Sequence, residues 1–340
     1  MATIKDVAKR AGVAVSTVSY ALSGARPISN DTRQRIQQAI EELDYHPNRL
    51  ARAMINKRTR IVALLCPTLY MSSLEDLPIE FIASVTNTAY LHDYGLLLFT
   101  HPLGESEIMR FIHQGLVDGV ILMEVLRQDP RVELMKEANY PFSLIGHCDE
   151  NEGISYVDVD FFEAYQVAVE HLVGLKHREI GCLAPVVDLD NIQHHYIFES
   201  NRGFRETVQK MGIQGTLVGC EPTIQGGCEA MKDLLEHQPN ITGVIVASEI
   251  MYHGVIQAVQ EKGLSVPDDF SAIGVVSSRS AEKYTPQITT ISIPAAKMAD
   301  LGAEFLIKQL EDPNFEPQQV ILSAEFTVRQ STGPRKERSK

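Results

Sequence analysis

The residues of this chain best suited to metal or redox chemistry are two adjacent histidines, His194 and His195, and five cysteines, Cys66, Cys148, Cys182, Cys220 and Cys228. Imidazole and thiolate are the usual protein ligands of zinc-class ions. Adjacent side chains in extended chain point to opposite sides, however, and no third ligand stands at a fixed spacing from the pair. No metal site is therefore expected. The cysteines form no C-x-x-C pair, and an odd, scattered set fits reduced thiols in a cytoplasm better than a disulfide framework or a zinc site. The chain also lacks a G-x-S-x-G elbow, a G-x-x-x-x-G-K-[ST] loop and an H-E-x-x-H helix. Gly226-Gly227 is a lone pair ahead of a helix, too little to hold a phosphate. Neither an enzyme nor a cofactor is expected.

A different chemistry is concentrated at the N-terminus. The 340-residue chain has a formal net charge of −13, yet residues 1–60 hold 11 Lys and Arg against 5 Asp and Glu, and the remainder 20 against 39. A basic head on an acidic body lets one end meet phosphates while the other repels them. Within the head, Ser16, Thr17, Ser19, Tyr20 and Arg26 offer hydrogen-bonding side chains on or beside one short periodic run. The opening Met1-Ala-Thr-Ile-Lys-Asp6 has no apolar signal core, so export is not expected. No stretch approaches the ~18 to 20 unbroken apolar residues of a membrane span.

The elements that position those side chains follow from spacing. Thr3-Ile-Lys-Asp6 fits a capping box, and Ile4, Val7, Ala8 and Ala11 keep helical spacing until Gly12. Val15 to Leu22 is periodic again and ends at Ser23-Gly24, with Val18 and Leu22 as its core pair. A third helix, capped by Ser29 or Asn30, runs to about Leu43 with Ile36, Ile40 and Leu43 inward, and Pro47 bars its continuation. Two short helices joined by a three- or four-residue turn containing Gly form a helix-turn-helix unit. Asn48 to Asn56 reads as a further helix, and at nine residues it is below the ~12 to 15 needed for stability in water alone.

The strings Ile4-Lys-Asp-Val-Ala-Lys-Arg-Ala-Gly-Val13, Ser16-Thr-Val-Ser-Tyr-Ala-Leu-Ser-Gly24 and Tyr45-His-Pro-Asn-Arg-Leu-Ala-Arg52 resemble the lactose/galactose repressor (LacI–GalR) family. The departure is Ala14, where the family usually has a capping Ser. The resemblance implies that the second helix enters the major groove of double-stranded DNA with Val15, Ser16, Thr17 and Tyr20. Val15 suits a thymine methyl, Ser16 discriminates poorly alone, and Tyr20 can bond a base edge without gripping guanine bidentately. Ser19, Arg26, Asn48 and Arg49 fall on backbone or rim positions. In the hinge, Ala51, Met54 and Ile55 fall on the minor groove, with Met54 as the wedge where the family has Leu.

From Ile61 onward, apolar runs alternate with helical stretches. Ile61-Val-Ala-Leu-Leu-Cys66, Gly95-Leu-Leu-Leu-Phe99 and Asp118-Gly-Val-Ile-Leu-Met123 read as buried parallel strands, separated by helices near 79–92, 104–115 and 130–139. After Val157-Asp-Val-Asp160 the rhythm restarts with strands near 179–184, 216–220, 242–247 and 270–275. The fold class is α/β, with two doubly wound lobes of parallel sheet following the helix-turn-helix head. Val117-Asp-Gly-Val-Ile121, Ala168-Val-Glu-His-Leu172, Lys176-His-Arg-Glu-Ile180, Gly263-Leu-Ser-Val-Pro267, Ile288-Thr-Thr-Ile291 and Arg329-Gln-Ser-Thr332 extend the resemblance through the family's periplasmic-binding-protein-like core. The expected organisation is a head over 1–46, a hinge over 47–60, a first lobe of 61–159 plus 293–320, a second lobe of 160–292 plus 321–332, and a basic tail over 333–340.

Ligands of open α/β lobes sit at the carboxyl ends of strands, here between the lobes. The resemblance places the sugar anchors of its members on Ser200, Ser248, Val276 and Ile293, and all four strong polyol partners are missing. Phe161 replaces a common Asn, and Leu77-Pro78 lacks an aromatic pair. Tyr70, Asp160, Ser200, Arg202, Ser248, Glu249 and Val276 remain as candidate effector contacts. The chain is thus identified as a DNA-binding regulator, a homodimer on a palindromic operator, answering to a small-molecule effector. The alternative keeps the DNA reading and replaces the effector with a protein partner acting on a vestigial cleft. No leucine heptads follow Pro334, so the resemblance implies a dimer formed through the body.

Overall fold

The computed structural model describes residues 2–23, 26–45, 58–67, 76–186 and 188–336. The head contains α1 (Ile4–Ala11), α2 (Val15–Ser23) and α3 (Asn30–Glu42). At the start of α1, Asp6 accepts from the Thr3 N–H at 2.9 Å and the Thr3 hydroxyl at 2.7 Å. These bonds hold the Asp6 carboxyl below its usual range. Gly12 ends α1 in the left-handed region at φ 67°, with its N–H returned to Ala8 O, a conformation that favours glycine. Ser29 caps α3 by accepting from the Thr32 N–H. Val7, Ala8, Ala11, Val18, Ile36, Ala39 and Tyr45 form one small core, with Leu22, Ile40 and Leu43 packed against it.

The body contains β1 (Ile61–Leu65), α4 (Asp76–Leu91), β2 (Gly95–Phe99), α5 (Glu105–His113), β3 (Gly119–Leu122), α6 (Pro130–Glu137), β4 (Phe142–Ile145) and β5 (Tyr156–Val159). There follow α7 (Phe161–Gly174), β6 (Glu179–Ala184), α8 (His195–Met211), β7 (Gln214–Gly219), α9 (Ile224–His237), β8 (Gly243–Val246), α10 (Glu249–Glu261), β9 (Ser271–Val275) and α11 (Ser278–Ala281). The chain closes with β10 (Thr289–Ser292), α12 (Ala295–Glu311), β11 (Gln319–Leu322) and β12 (Glu325–Thr327).

Two six-stranded sheets result, ordered β11-β5-β4-β3-β1-β2 and β12-β10-β9-β8-β6-β7. Strands β1, β3, β4, β8 and β9 are buried along nearly their whole length, as expected for parallel strands covered on both faces. At the sheet edge β12 runs antiparallel to β10. The chain passes between the lobes three times: after β5, after β10, and between β11 and β12. The last passage falls at Ser323–Ala324, a correction to the expected 320/321 boundary. The reason is the ladder itself, because β11 stays paired with β5 through Leu322↔Val159 before β12 joins the other sheet.

Just ahead of β1, the chain is tied down by Asp118. Its carboxylate accepts from the Thr59 N–H at 2.7 Å, the Thr59 hydroxyl at 2.8 Å and the Arg60 N–H at 2.9 Å. The exit of the hinge is therefore fixed by three charge-assisted bonds.

Candidate functional site: a DNA-reading head and a cleft between two lobes

On α2 the inward and outward faces separate cleanly. Val18 is 0% exposed, whereas Val15 is 41% exposed and Ser16 is exposed beside it. An isolated branched apolar side chain left in water at the start of a helix is available for an apolar contact, and it contributes little to the core. Thr17, Ser19 and Tyr20 are half-buried. The guanidinium of Arg26 lies 5.1 Å from the centroid of the Tyr20 ring. That stacking places a cation against the Tyr20 ring. Ala14 offers no side-chain oxygen, and its carbonyl accepts from the Thr17 and Val18 N–H groups. The hinge positions Asn48, Arg49, Ala51, Met54 and Ile55 lie outside the described residues, as does Tyr70.

Between the two lobes lies a cavity of about 340 Å³ with mostly carbon-lined walls, within the range of small-molecule sites. The lobes meet along a short backbone ladder. Leu126 pairs with His194, the Arg127 N–H donates to Gln193 O at 2.8 Å, and the His195 N–H donates to Val125 O at 3.3 Å. The Arg127 guanidinium also covers the ring of Phe198 at 4.0 Å. Elsewhere on the cleft, Asp76 at the start of α4 takes Lys283 Nζ at 2.6 Å and the Ser280 hydroxyl at 3.1 Å. The Lys283 hydrogen bond is the main reason that the Asp76 carboxyl is held below its usual range.

The first-lobe side of the ladder is braced by a buried ion pair. Arg131 reaches Asp129 with Nε at 2.9 Å and with a terminal nitrogen at 2.6 Å, and the same nitrogen donates to the carbonyls of Met123 and Glu124. Burial pushes the Asp129 carboxyl up, but the Arg131 hydrogen bonds and charge outweigh it and hold the group below its usual range. Glu124, on the cavity wall, sits in the left-handed region at φ 53° with its carbonyl pinned in this way.

The predicted effector contacts divide. Ser200, Ser248, Glu249 and Val276 line the cavity, as does Ile293. Ser200 is buried beside Tyr165, and Ser248 caps α10 by accepting from the Met251 N–H at 3.3 Å. Glu249 accepts from the Tyr284 hydroxyl at 3.0 Å. Two expectations need correcting. Asp160 is absent from the cavity wall, because its carboxylate caps α7 by accepting from the Glu163 N–H at 2.8 Å. Arg202 faces away from the cavity: it pairs with Glu199 and Glu206 and lies over the Phe162 ring at 4.4 Å.

Sequence reasoning missed the residues next to these. Asn201 is 3% exposed and lines the cavity, and its Nδ2 has no hydrogen-bond partner among the described residues. It is held there by close helix packing, since a Cβ on Gly203 would come within 2.5 Å of the Phe162 carbonyl oxygen. His147, Asp158 and His195 also line the cavity, with one ligand atom from each lying within 4.8 Å of the others. The sequence signal for His195 was visible; its partners are 37 and 48 positions upstream, and only the fold joins them. The adjacent His194 turns elsewhere, toward Tyr196 at 5.8 Å. All five cysteines are buried, and burial pushes the Cys148 and Cys220 thiols up to about 11.

A helix-turn-helix head with an outward-facing helix, followed by two doubly wound lobes around a cleft, defines a ligand-type core joined to a DNA-reading module. Residues 3–48 match the bacterial regulatory proteins of the lacI family, and residues 169–332 match the periplasmic binding protein-like domain. The chain belongs to the LacI family of sequence-specific, DNA-binding transcriptional regulators. It is 28% identical over 340 residues to the HTH-type transcriptional regulator RegA of Clostridium saccharobutylicum, covering 98% of this chain and 100% of that one. The solved complex of the transcriptional regulator CelR with cellobiose is similar over 97% of this chain and 100% of its own, at 27% identity and a TM-score of 0.73. The lac repressor dimer bound to operator and the anti-inducer ONPF shares the fold over 98% of this chain and 99% of its own, at 23% identity and a TM-score of 0.84. No helix among the described residues is long and apolar enough to cross a membrane.

Proposed function

We propose that the chain is a cytoplasmic, homodimeric repressor of a carbohydrate or related catabolic operon, with operator affinity set by a small molecule held between the lobes. The observation that carries this reading is the cavity, with the Asn201 amide buried in its wall and unpaired among the described residues. An unsatisfied buried donor costs about 1 to 3 kcal/mol, which a ligand acceptor at that point recovers. The remaining wall says what kind of ligand. Val276 and Ile293 are apolar, while Ser248 is engaged as the cap of α10. A heavily hydroxylated monosaccharide would leave hydroxyls unmatched there, so the favoured effector has an apolar face and few polar groups.

On the DNA side, Val15, Ser16, Thr17 and Tyr20 read the major groove, while Ser19 and Arg26 set register. Asn48 and Arg49 contact the backbone, and Met54, flanked by Ala51 and Ile55, enters the minor groove. Dimerisation through the body is supported by Ile79, Tyr90 and Leu91, which are exposed on α4. Ligand-driven change in lobe closure reaches the hinge through Asp118 and its grip on Thr59 and Arg60.

The test is a thermal-shift panel of cellobiose, monosaccharides, aryl glycosides and nucleobases, followed by operator titration at several salt concentrations. A true effector at one hundred times its Kd stabilises by about 2.7 kcal/mol and changes operator affinity. Operator affinity that is flat with salt would refute the phosphate-contacting head. The missing polyol anchors favour one second reading, a cleft without an effector and a protein partner as the switch. A panel without any shift supports that reading.

A further inference from the structure

Asp158 is 2% exposed, in β5, and its side-chain partners among the described residues are His147 at 2.7 Å and the Val159 N–H at 2.7 Å. Neither Lys nor Arg pairs with it there. Buried carboxylates are ordinarily paired with a cation or bound to a metal. His147, just after β4, stacks on Tyr156 of its own lobe at 5.1 Å and meets the ring of His195, the first residue of α8 in the other lobe, at 3.7 Å. Two imidazoles and one carboxylate therefore converge from two lobes on one point of the cavity wall.

We propose that His147, Asp158 and His195 bind one divalent ion of the zinc class, and that the ion clasps the two lobes together. Two nitrogens and one oxygen are a ligand set suited to zinc and its first-row neighbours, and three protein ligands leave a position open toward the cavity. The ligand atoms lie within 4.8 Å of one another, and a tetrahedral ion with bonds of about 2.0 to 2.1 Å needs them about 3.4 Å apart. The required adjustment is on the scale of a side-chain rotation. Positions of the lobes are set at the same place by the 125–127 to 193–195 ladder, so the ion reinforces an existing contact. The ion site stands whether or not the cavity also takes an effector.

The experiment uses the full chain, stripped with a chelator and titrated with Co2+ and with Zn2+ in competition with a chelating dye. The expected result is one ion per chain and a Co2+ visible spectrum of nitrogen and oxygen ligation without a thiolate charge-transfer band. His195→Gln and Asp158→Asn should each weaken binding by at least about 100-fold, beyond the 10- to 100-fold typical of losing a merely supporting partner. His237→Gln, at an exposed pair elsewhere, should bind as the parent does. Zn2+ should raise the melting temperature of the parent and leave that of His195→Gln unchanged, with circular dichroism confirming that each variant folds. Equal affinity in parent and variants, thiolate ligation, or absence of binding at micromolar free ion overturns the proposal.

Discussion

Replacing Arg131 by Met should cost this protein far more than an ordinary surface charge. Asp129 is 3% exposed, and it accepts from the Arg131 guanidinium, from the Leu126 N–H at 3.1 Å and from the Arg131 N–H at 2.9 Å. Met retains the two backbone donors but removes the cation, leaving a buried carboxylate uncompensated. Breaking a buried pair in this way costs about 3 to 5 kcal/mol, a large share of the roughly 5 to 15 kcal/mol that holds a native protein together. The same change frees the Met123 and Glu124 carbonyls, and with them the strand end that ladders onto residues 193–195. Urea unfolding at pH 7 should show the loss, and adding Asp129→Asn should restore most of it by removing the stranded charge.

The pH dependence follows with its sign. In the parent, the Asp129 carboxyl is depressed, so its contribution is present above the ordinary carboxylate range and lost as pH falls through the depressed value. In Arg131→Met the cation is gone and only the two backbone donors oppose burial, so the carboxyl titrates higher than in the parent, and protonation relieves the variant on acidification. The gap between parent and variant therefore narrows as pH falls. A loss under about 1 kcal/mol, as for an exposed pair, or a double variant no better than the single one, would refute the reasoning.

Ala14→Ser should stabilise α2 by about 1 kcal/mol, seen as roughly fivefold slower amide exchange in that helix, because the turn gains a side-chain acceptor. Tyr20→Phe should change base preference on a selected operator by about 1 to 3 kcal/mol at one position. Arg26→Ala should instead weaken all sequences alike and lower the salt slope by about 1, as read by anisotropy titration. His177 is buried between Thr242 and the Gly333 carbonyl, and burial chiefly, with Arg335 and His171 nearby, holds it below the ordinary range. Its contribution is complete above the unfolded imidazole value of about 6.5 and is lost as pH falls through the lowered one. Urea midpoints should drop between pH 7.5 and 5.5, and His177→Gln should flatten that drop.

The head was legible because its information is local. Helix periods, the Asp6 and Ser29 caps and the Gly12 stop act within a few residues, and they leave Val15 outward and Val18 inward without help from the rest of the chain. The α/β rhythm of the body was legible for the same reason. The roles of single polar residues were less so. Asp160 and Arg202 have the right types and neighbourhood for a ligand, but helix capping and pairing along α8 engage them first.

By itself the sequence determined that a basic helix-turn-helix head precedes two wound lobes of parallel sheet. Only the tertiary structure decided which side chains face one another across the cleft. Asn201, Glu124 and the group of His147, Asp158 and His195 come from different strands and helices, and their meeting depends on how the two sheets bring those ends together. Hydrophobic periodicity reports which face of an element is buried. It carries no term for what a polar group meets on the other side of a closed cleft, and there the chemistry of this protein is set.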